Sequence, residues 1–391
     1  MTEIRRGTAA EFDEIINLID YVFSRSSRPH DFPAMYPNLY QRTDESMHDM
    51  INMWEDGKVI GSVLAHERVL SVCGREMKVV GIGNVAAHPR MRGKGIMSRL
   101  MSYTVEELKK DGVAISILGG KRSRYNRFGY ELGGAAYGLR IGDEEIAPVY
   151  DKAITEKYDF RAFTADDKET AAACKAIYEA QDVHYNYDDD GFVLRFYDWH
   201  NRMPYAVYDA DDKLIGYLAM GELPSDPRSV CEYAFVDGVD IAEVLAAYVL
   251  KTHEDLHLTV RDWEMVPFAK LIRVGGRHSF GPTEMWSILD WEVVLDAFLT
   301  LKASYAHLEN GTLVIEIAER GKWEVTVDGT AVTVTATDKA ADLSFSALDA
   351  VYALTGPQPM ALIGYDHPEA VLRMARSWFP LPLVSLEADR V

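Results

Sequence analysis

Val85-Ala-Ala-His-Pro-Arg-Met-Arg-Gly-Lys-Gly-Ile96 is the stretch on which the reading turns, because its pattern R-x-x-G-x-G runs straight into residues with helical periodicity. The physical sense of such a loop is anion binding. Gly93 and Gly95 let backbone N–H groups approach a ligand with no Cβ in the way, and a helix opening near Ile96 adds four N–H groups without intrahelical acceptors and the positive end of its dipole. A pyrophosphate fits that cradle. Arg90, Arg92 and Lys94 can add charge, although basic side chains beside a turn are, singly, ordinary solvated groups. Two other phosphate loops fail on the same residues. A Walker A loop needs Gly where His88 stands and Ser or Thr where Gly95 stands. Gly81-Ile-Gly-Asn-Val-Ala86 spells the Rossmann pattern G-x-G-x-x-A, but Pro89, Gly93 and Gly95 prevent a helix from opening there, so it reads as strand.

Working outward, the residues from Ile51 to Ala87 alternate apolar and polar in short runs joined by Asp56-Gly57 and Cys73-Gly74, which predicts an antiparallel meander. Downstream, Met97, Leu100, Met101, Thr104, Val105 and Leu108 form the inward stripe of a helix over 96–110, and VAISIL (113–118) follows as an apolar strand. Strand, Gly loop, helix and strand make a βαβ unit. Near the start, Thr8 and Glu11 form a capping box ahead of Phe12, Ile15, Ile16, Ile19, Val22 and Phe23 at helical spacing. Residues 25–45 mix Pro, Ser and Tyr with Asp31, Phe32, Tyr36 and Tyr40. That is the composition of a long irregular segment able to cover a pocket, with packing as its ordinary role.

A second section begins near Pro148. FTADDKETAAACKAIYEAQ predicts a helix capped by Thr164, and YAVYDADDKLIGYLAM repeats the order of MWEDGKVIGSVLAH: apolar strand, acidic turn, Lys, apolar pair, Gly, apolar strand. This suggests an internal duplication. DIAEVLAAYVLKTHEDL and HLTVRD continue it as helix and strand, but no Gly-rich loop precedes the second helix, so the copy lacks the anion cradle. From Leu289 onward a helix (VVLDAFLTL), strands with Gly turns and a further helix (LSFSALDAVYALTG) read as a small α+β unit, and the apolar end WFPLPLVSLEADRV is expected to pack. The expected division is 1–147, 148–287 and 288–391.

Composition narrows the function classes. With 48% hydrophobic and 26% charged residues in 391, the chain is globular and multidomain. Its 41 Lys plus Arg against 61 Asp plus Glu leave a formal charge of −20. That field repels nucleic acid and anionic membrane surfaces and concentrates cationic ligands such as polyamines, basic peptides or amino sugars. The aromatic and acidic tract Tyr185-Asn-Tyr187-Asp-Asp-Asp190 could serve as a polycation site, though charge runs are usually solvated faces. Cys73, Cys174 and Cys231 lie far apart, as in a reducing compartment, and exclude a cysteine-rich zinc module. MTEIRRGTAAEF lacks an apolar leader core and no stretch suits a membrane span, so a cytoplasmic location is expected.

The run V-A-A-H-P-R-x-R-G-x-G-I after an antiparallel meander resembles the acetyl-CoA motif of GNAT N-acetyltransferases. Tyr125-Asn-Arg-Phe-Gly-Tyr130, after VAISILGG, is similar to the Y-x-R-F-G-Y segment of the Eis-type enzymes in that family. The resemblance implies an α+β fold of tandem GNAT-like domains, catalytic over 1–147 and degenerate over 148–287, followed by a sterol-carrier-like domain. It implies acetyl-CoA as cosubstrate, no metal, and transfer to a primary amine of an aminoglycoside-like or polyamine-like molecule or a lysyl side chain. Cosubstrate contacts would fall on Val85, Ala86, Ala87, Arg90, Met91, Arg92, Gly93, Lys94, Gly95, Ile96 and Asn126. Tyr125 would be the acid for the departing thiolate and the carboxylate of Val391 the base, with His88 and His66 as alternative bases and Tyr130 as packing. The family also implies a homo-oligomer, a hexamer. A non-catalytic carrier with an apolar C-terminal pocket is the competing reading, against which the intact R-x-x-G-x-G and Tyr125 argue.

Overall fold

The computed structural model describes residues 2–26, 28–197, 202–221 and 228–385. The chain opens with β1 (Thr2–Arg6), α1 (Phe12–Ser24), α2 (Phe32–Met35) and α3 (Asp44–His48). The capping box forms as read, Thr8 Oγ1 and Glu11 Oε2 lying 3.1 Å apart, and a single 3₁₀ turn leads into α1. The meander follows as β2 (Met50–Glu55), β3 (Lys58–Val72) and β4 (Arg75–Ala87). Both turns place their two central residues at positive φ, the twist that matches right-twisted strands. Next come α4 (Ile96–Lys110), β5 (Ile115–Leu118), α5 (Arg122–Tyr125), β6 (Glu131–Gly133), β7 (Ala136–Ile141) and α6 (Asp143–Ile146).

The second section contains β8 (Asp159–Ala162), α7 (Lys168–Glu179), β9 (Val183–Tyr185), α8 (Asp189–Leu194), β10 (Met203–Tyr208), β11 (Leu214–Gly221), β12 (Arg228–Phe235), α9 (Ile241–Thr252), β13 (Leu256–Val260), α10 (Ala269–Val274), β14 (Arg277–Gly281) and β15 (Glu284–Ile288). The last section contains α11 (Trp291–Tyr305), β16 (Gly311–Ile317), β17 (Gly321–Asp328), β18 (Ala331–Ala336), β19 (Leu343–Phe345), α12 (Ala347–Thr355), α13 (Met360–Ile363) and α14 (Glu369–Trp378).

Among the described residues the strands form three sheets. The first runs β1-β2-β3-β4-β5-β15-β6, with β9 paired to the far half of β3; the second runs β8-β10-β11-β12-β13-β7-β14. Each is antiparallel apart from one parallel pair, β4 with β5 and β12 with β13, joined by α4 and α9 respectively. The duplication is therefore real in the fold, with the repeated segments forming the hairpins β2–β3 and β10–β11. The completing strands cross over: β7 pairs with β13 and β15 pairs with β5, so chain on either side of residue 148 contributes to both sheets. The third sheet is β18-β17-β16-β19.

Side chains alternate along the first sheet as pleating requires. Ile51, Met53, Val63 and Ala65 pack with Leu100, Met101 and Val105 of α4, whereas Met50 and Leu64 pack with Ile15, Ile16 and Ile19 of α1. The second sheet repeats this arrangement with α9 on one face and α7 on the other. The C-terminal unit shares a core with the first sheet, since Trp291, Leu295 and Phe298 of α11 pack with Leu70, Val79 and Ile115. Two local readings change. Asp167, not Thr164, stands at the N-cap position of α7, where its carboxylate makes no bond to the helix and instead accepts the Thr164 N–H and hydroxyl, at 2.8 and 3.0 Å, forming a turn ahead of the helix. α14 was not anticipated, although Val371, Leu372, Ala375 and Trp378 bury one face of it.

Candidate active site

β4 pairs with β5 only from Val79–Ile115 to Ile82–Leu118, yet it continues along β3 to Ala87. Ile82 pairs with Leu118, where β5 ends, so the rest of β4 has no strand partner on that edge among the described residues. A bulge lies at the start of this stretch: Asn84 sits at φ +47°, and the β3–β4 register shifts between Ser62 and Leu64. The His88 N–H donates to Ile60 O at 2.9 Å on the β3 side. Strand alternation then directs the N–H groups of Val85 and Ala87 into the opening. Ala86 and Ile96 are buried in the cores beneath α1 and α4, so their side chains support the site from behind.

The loop after β4 begins with one 3₁₀ turn, Pro89–Met91, capped by His88 Nδ1, which accepts the Arg90 N–H at 3.2 Å. That bond ties His88 to its own turn. Gly93 and Gly95 adopt φ +80° and +72°, left-handed conformations that a side chain would strain. Gly95 is the N-cap of α4 and has no side chain to offer the first-turn N–H groups, which keeps that helix end available to an outside anion. Arg90, Arg92 and Lys94 are exposed around it, and Met91 is half-buried. A further cation was not foreseen: Arg127 Nη2 donates to Ser98 Oγ in the first turn of α4 at 3.0 Å, from 29 residues downstream. Arg127 stood within the Tyr125–Tyr130 motif, but nothing local indicated which helix it would meet.

Tyr125 ends the short helix α5. The turn beyond it is fixed by Asn126 Nδ2, which donates to Tyr130 O at 2.8 Å and Glu131 Oε2 at 3.0 Å, while Arg122 Nη2 donates to the same carboxylate oxygen at 2.5 Å. The Asn126 amide nitrogen is thus engaged within the protein, holding Tyr125 in place. Burial raises the Tyr125 phenol above its ordinary pKa, and a hydrogen bond with Arg124 opposes that rise. Tyr130 is core: its hydroxyl meets Ser116 Oγ at 2.7 Å and burial holds its proton firmly.

Tyr125 and Val85 open onto a cleft of about 790 Å³ whose far wall is the 25–45 segment. Phe32, Tyr36 and Tyr40 line it, so the covering role read from composition is what the fold uses. Asn84 Nδ2 donates to the Tyr40 hydroxyl and joins the bulge to that wall. Asp31 turns away to cap α2, accepting the Ala34 N–H at 3.1 Å. His66 pairs with Asp49 at 2.7 Å on β3 and does not line the cleft. The Tyr185–Asp190 tract is not a polycation site on this cleft. Tyr185 is buried in β9 beneath the Arg68 guanidinium, Asp188 caps α8, and Asp190 pairs with Lys168 at 2.7 Å. Val391 lies outside the described residues. The last described segment is anchored where Leu383 O accepts the Ala135 N–H at 3.3 Å.

A GNAT acetyltransferase domain in the first third of the chain supports an acyltransferase. Residues 3–133 match the family model described as an acetyltransferase (GNAT) domain. The whole chain is similar to solved GCN5-related N-acetyltransferases from Kribbella flavida (TM-score 0.69, 18% identity, 97% of each chain covered) and Anabaena variabilis (TM-score 0.69, 15% identity, 97% of each). It is also similar to Eis1 from Mycobacterium abscessus (TM-score 0.67, 16% identity, 100% of each). At these identities the likeness is one of fold. No curated protein sequence matches. No described helix is long and apolar enough to cross a membrane.

Proposed function

We propose that this acyltransferase moves the acetyl group of acetyl-CoA to a primary amine bound in the cleft beside Tyr125. One observation carries the reading: Val85 on the open edge of β4, Arg92 next to the left-handed Gly93, and Tyr125 line the same cleft. Acetyl-CoA supplies the activated thioester. The Val85 and Ala87 N–H groups offer donors to its acyl arm, and the first turn of α4 with Arg90, Arg92, Lys94 and Arg127 offers charge and donors to its pyrophosphate. When the amine displaces the thiolate, the Tyr125 O–H protonates the sulfur, and Arg124 stabilises the phenolate left behind. The amine must first lose a proton, and the Val391 carboxylate is our choice of base. Asn126 acts through Tyr125 as a positioning residue.

The acceptors expected from sequence, aminoglycoside-like, polyamine-like or lysyl amines, draw support from the far field of a −20 chain. We retain 1–147 and 148–287 as a catalytic and a degenerate GNAT-like unit and 288–391 as a sterol-carrier-like unit, in a cytoplasmic homo-oligomer, a hexamer by resemblance. The carrier reading is weaker because Trp291, Trp323, Trp378 and Phe379 fill the C-terminal core. Thiol release from acetyl-CoA across a panel of amines tests the proposal. Release with an amine, and its loss on deleting residues 386–391 from a chain that stays folded, supports both the activity and the base. Acetyl-CoA binding without release for any amine supports the carrier.

A further inference from the structure

We infer that the C-terminal unit is a working part of the active site: α12 and the turn before β17 brace the segment 122–134 and so set the position of the Tyr125 hydroxyl, with Thr355 and Arg320 as positioning residues. This rests on Tyr125 being the acid of the acetyl-transfer reading. The helix that carries Tyr125 has only four residues, Arg122–Tyr125, and a helix so short does not hold its own geometry. One carboxylate grips it at both ends. Glu131, almost wholly buried, accepts from Arg122 at the start of the helix and from Asn126 Nδ2 just past its end, at 2.5 and 3.0 Å. Where β6 lies therefore decides where Tyr125 lies.

β6 is a poor anchor by itself, being three residues long and paired with β15 alone among the described strands. The rest of its support comes from the C-terminal unit. Gly133 shares a face of β6 with Glu131, two residues back along the strand. There α12 lies so close that a Cβ on Gly133 would come within 2.5 Å of Thr355 Oγ1 and 3.0 Å of Val351 Cγ1. The Thr355 hydroxyl donates to Val351 O at 2.6 Å, which leaves its oxygen to accept the buried Gly134 N–H at 3.2 Å. Two further interactions fall nearer Tyr125. Glu131 raises the Arg122 guanidinium above its ordinary range, and Asp349 of α12 adds to the same field. Arg320 Nη2 stands 3.7 Å from the position a Cβ would take on Gly129, whose φ of +89° ends the turn after Tyr125. Burial disfavours the Arg320 charge while Glu319 and Glu106 favour it, so this guanidinium is held in a partly desolvated place against the turn. The C-terminal unit thus acts on the segment at Arg122, Gly129, Gly133 and Gly134.

Thr355→Val keeps the shape of the side chain and removes the hydroxyl, leaving the Gly134 N–H without its acceptor, and Thr355→Ser restores that acceptor. In the full chain with tyrosines isotope-labelled at Cζ and the Tyr125 resonance assigned from Tyr125→Phe, the resonance should move in Thr355→Val and return toward its original place in Thr355→Ser. Thiol release should show kcat about tenfold lower in Thr355→Val and within about threefold of the unsubstituted protein in Thr355→Ser, with the acetyl-CoA Kd within about twofold throughout. Arg320→Gln, at a half-buried turn, tests the brace without touching α12; it should move the same resonance and lower kcat about threefold. Movement in either variant sustains the inference through that contact. An unmoved Tyr125 resonance in both, each shown folded by a thermal melt, overturns it whatever kcat does, and if Thr355→Val does not fold, Arg320→Gln decides alone. The resonance needs no turnover, so the two readings fail separately. A resonance that moves while kcat stays unchanged keeps the brace and removes Tyr125 from the role of acid, and absence of thiol release from any amine defeats the acetyl-transfer reading alone.

Discussion

At the scale of single residues the proton inventory around Tyr125 is the most informative feature. A buried phenol holds its proton more firmly than a free one, which suits an acid that must stay protonated, but transfer to a thiolate of reference pKa ~8.5 then runs uphill. The hydrogen bond from Arg124 offsets part of this by stabilising the phenolate. Tyr125→Phe keeps the ring and removes the proton, so kcat should fall by about 10²-fold or more with the acetyl-CoA Kd within about twofold. The acid works only while protonated, so activity is lost as pH rises through its pKa, and a raised pKa moves that loss above the ordinary value of 10. The kcat profile should therefore stay level from pH 8 to 10; a basic limb with a midpoint below 9 that disappears in Tyr125→Phe would remove Tyr125 from this role. The tyrosine itself was readable because its motif is local. Its neighbour Arg124 was not, and the aromatic segment was legible only as a possible pocket cover, because the fold alone brings residues 28–40 opposite residue 125.

Among the elements, the equivalent helices α4 and α9 differ in a way that supports the proposal of a site in the first copy alone. α4 starts at left-handed Gly95 with no side-chain cap, and α9 starts at Asp240, whose carboxylate accepts the Glu243 N–H at 3.1 Å. A helix end already holding a carboxylate, with Glu243 in its first turn, repels a second anion. The protein should therefore bind one acetyl-CoA per chain. Gly93→Asp, which puts a carboxylate into the exposed loop and strains φ by about 1–3 kcal/mol locally, should weaken that binding at least tenfold. Calorimetry decides both points, with a thermal melt to show that Gly93→Asp stays folded; a stoichiometry near two, or an unchanged Kd, contradicts the assignment. Elements with strong periodicity were legible to the residue, α4 at Ile96–Lys110 being the clearest case. α14 carried the same kind of stripe but lay among turn-forming prolines, and the cap of α7 was misplaced because Thr164 and Asp167 are both good capping types and only their mutual hydrogen bonds decide between them.

For the molecule as a whole, the exchange of β7 and β15 has the largest consequence. Sequence showed two copies in tandem, and each strand read plausibly within its own copy, because alternation identifies a strand without naming its neighbour. In the structure β5 is completed by Met285–Ile288, and Met285, Trp286 and Ile288 are almost wholly buried in the cores around the first sheet. Burying three such side chains contributes about 5–8 kcal/mol, comparable to the entire stability of an ordinary domain, and without β15 the strand β5 presents an unpaired edge beside the candidate site. Residues 1–147 alone would also carry β7, whose partners β13 and β14 come from beyond residue 250. That segment should therefore not behave as an independent domain despite holding the Gly loop, α4 and Tyr125. Expressed separately, it should show no cooperative thermal transition and no acetyl-CoA binding, whereas the full chain shows both. A soluble 1–147 fragment that melts cooperatively and binds acetyl-CoA with the affinity of the full chain would mean that the exchanged strands are dispensable and that the catalytic unit ends where the sequence alone divides it.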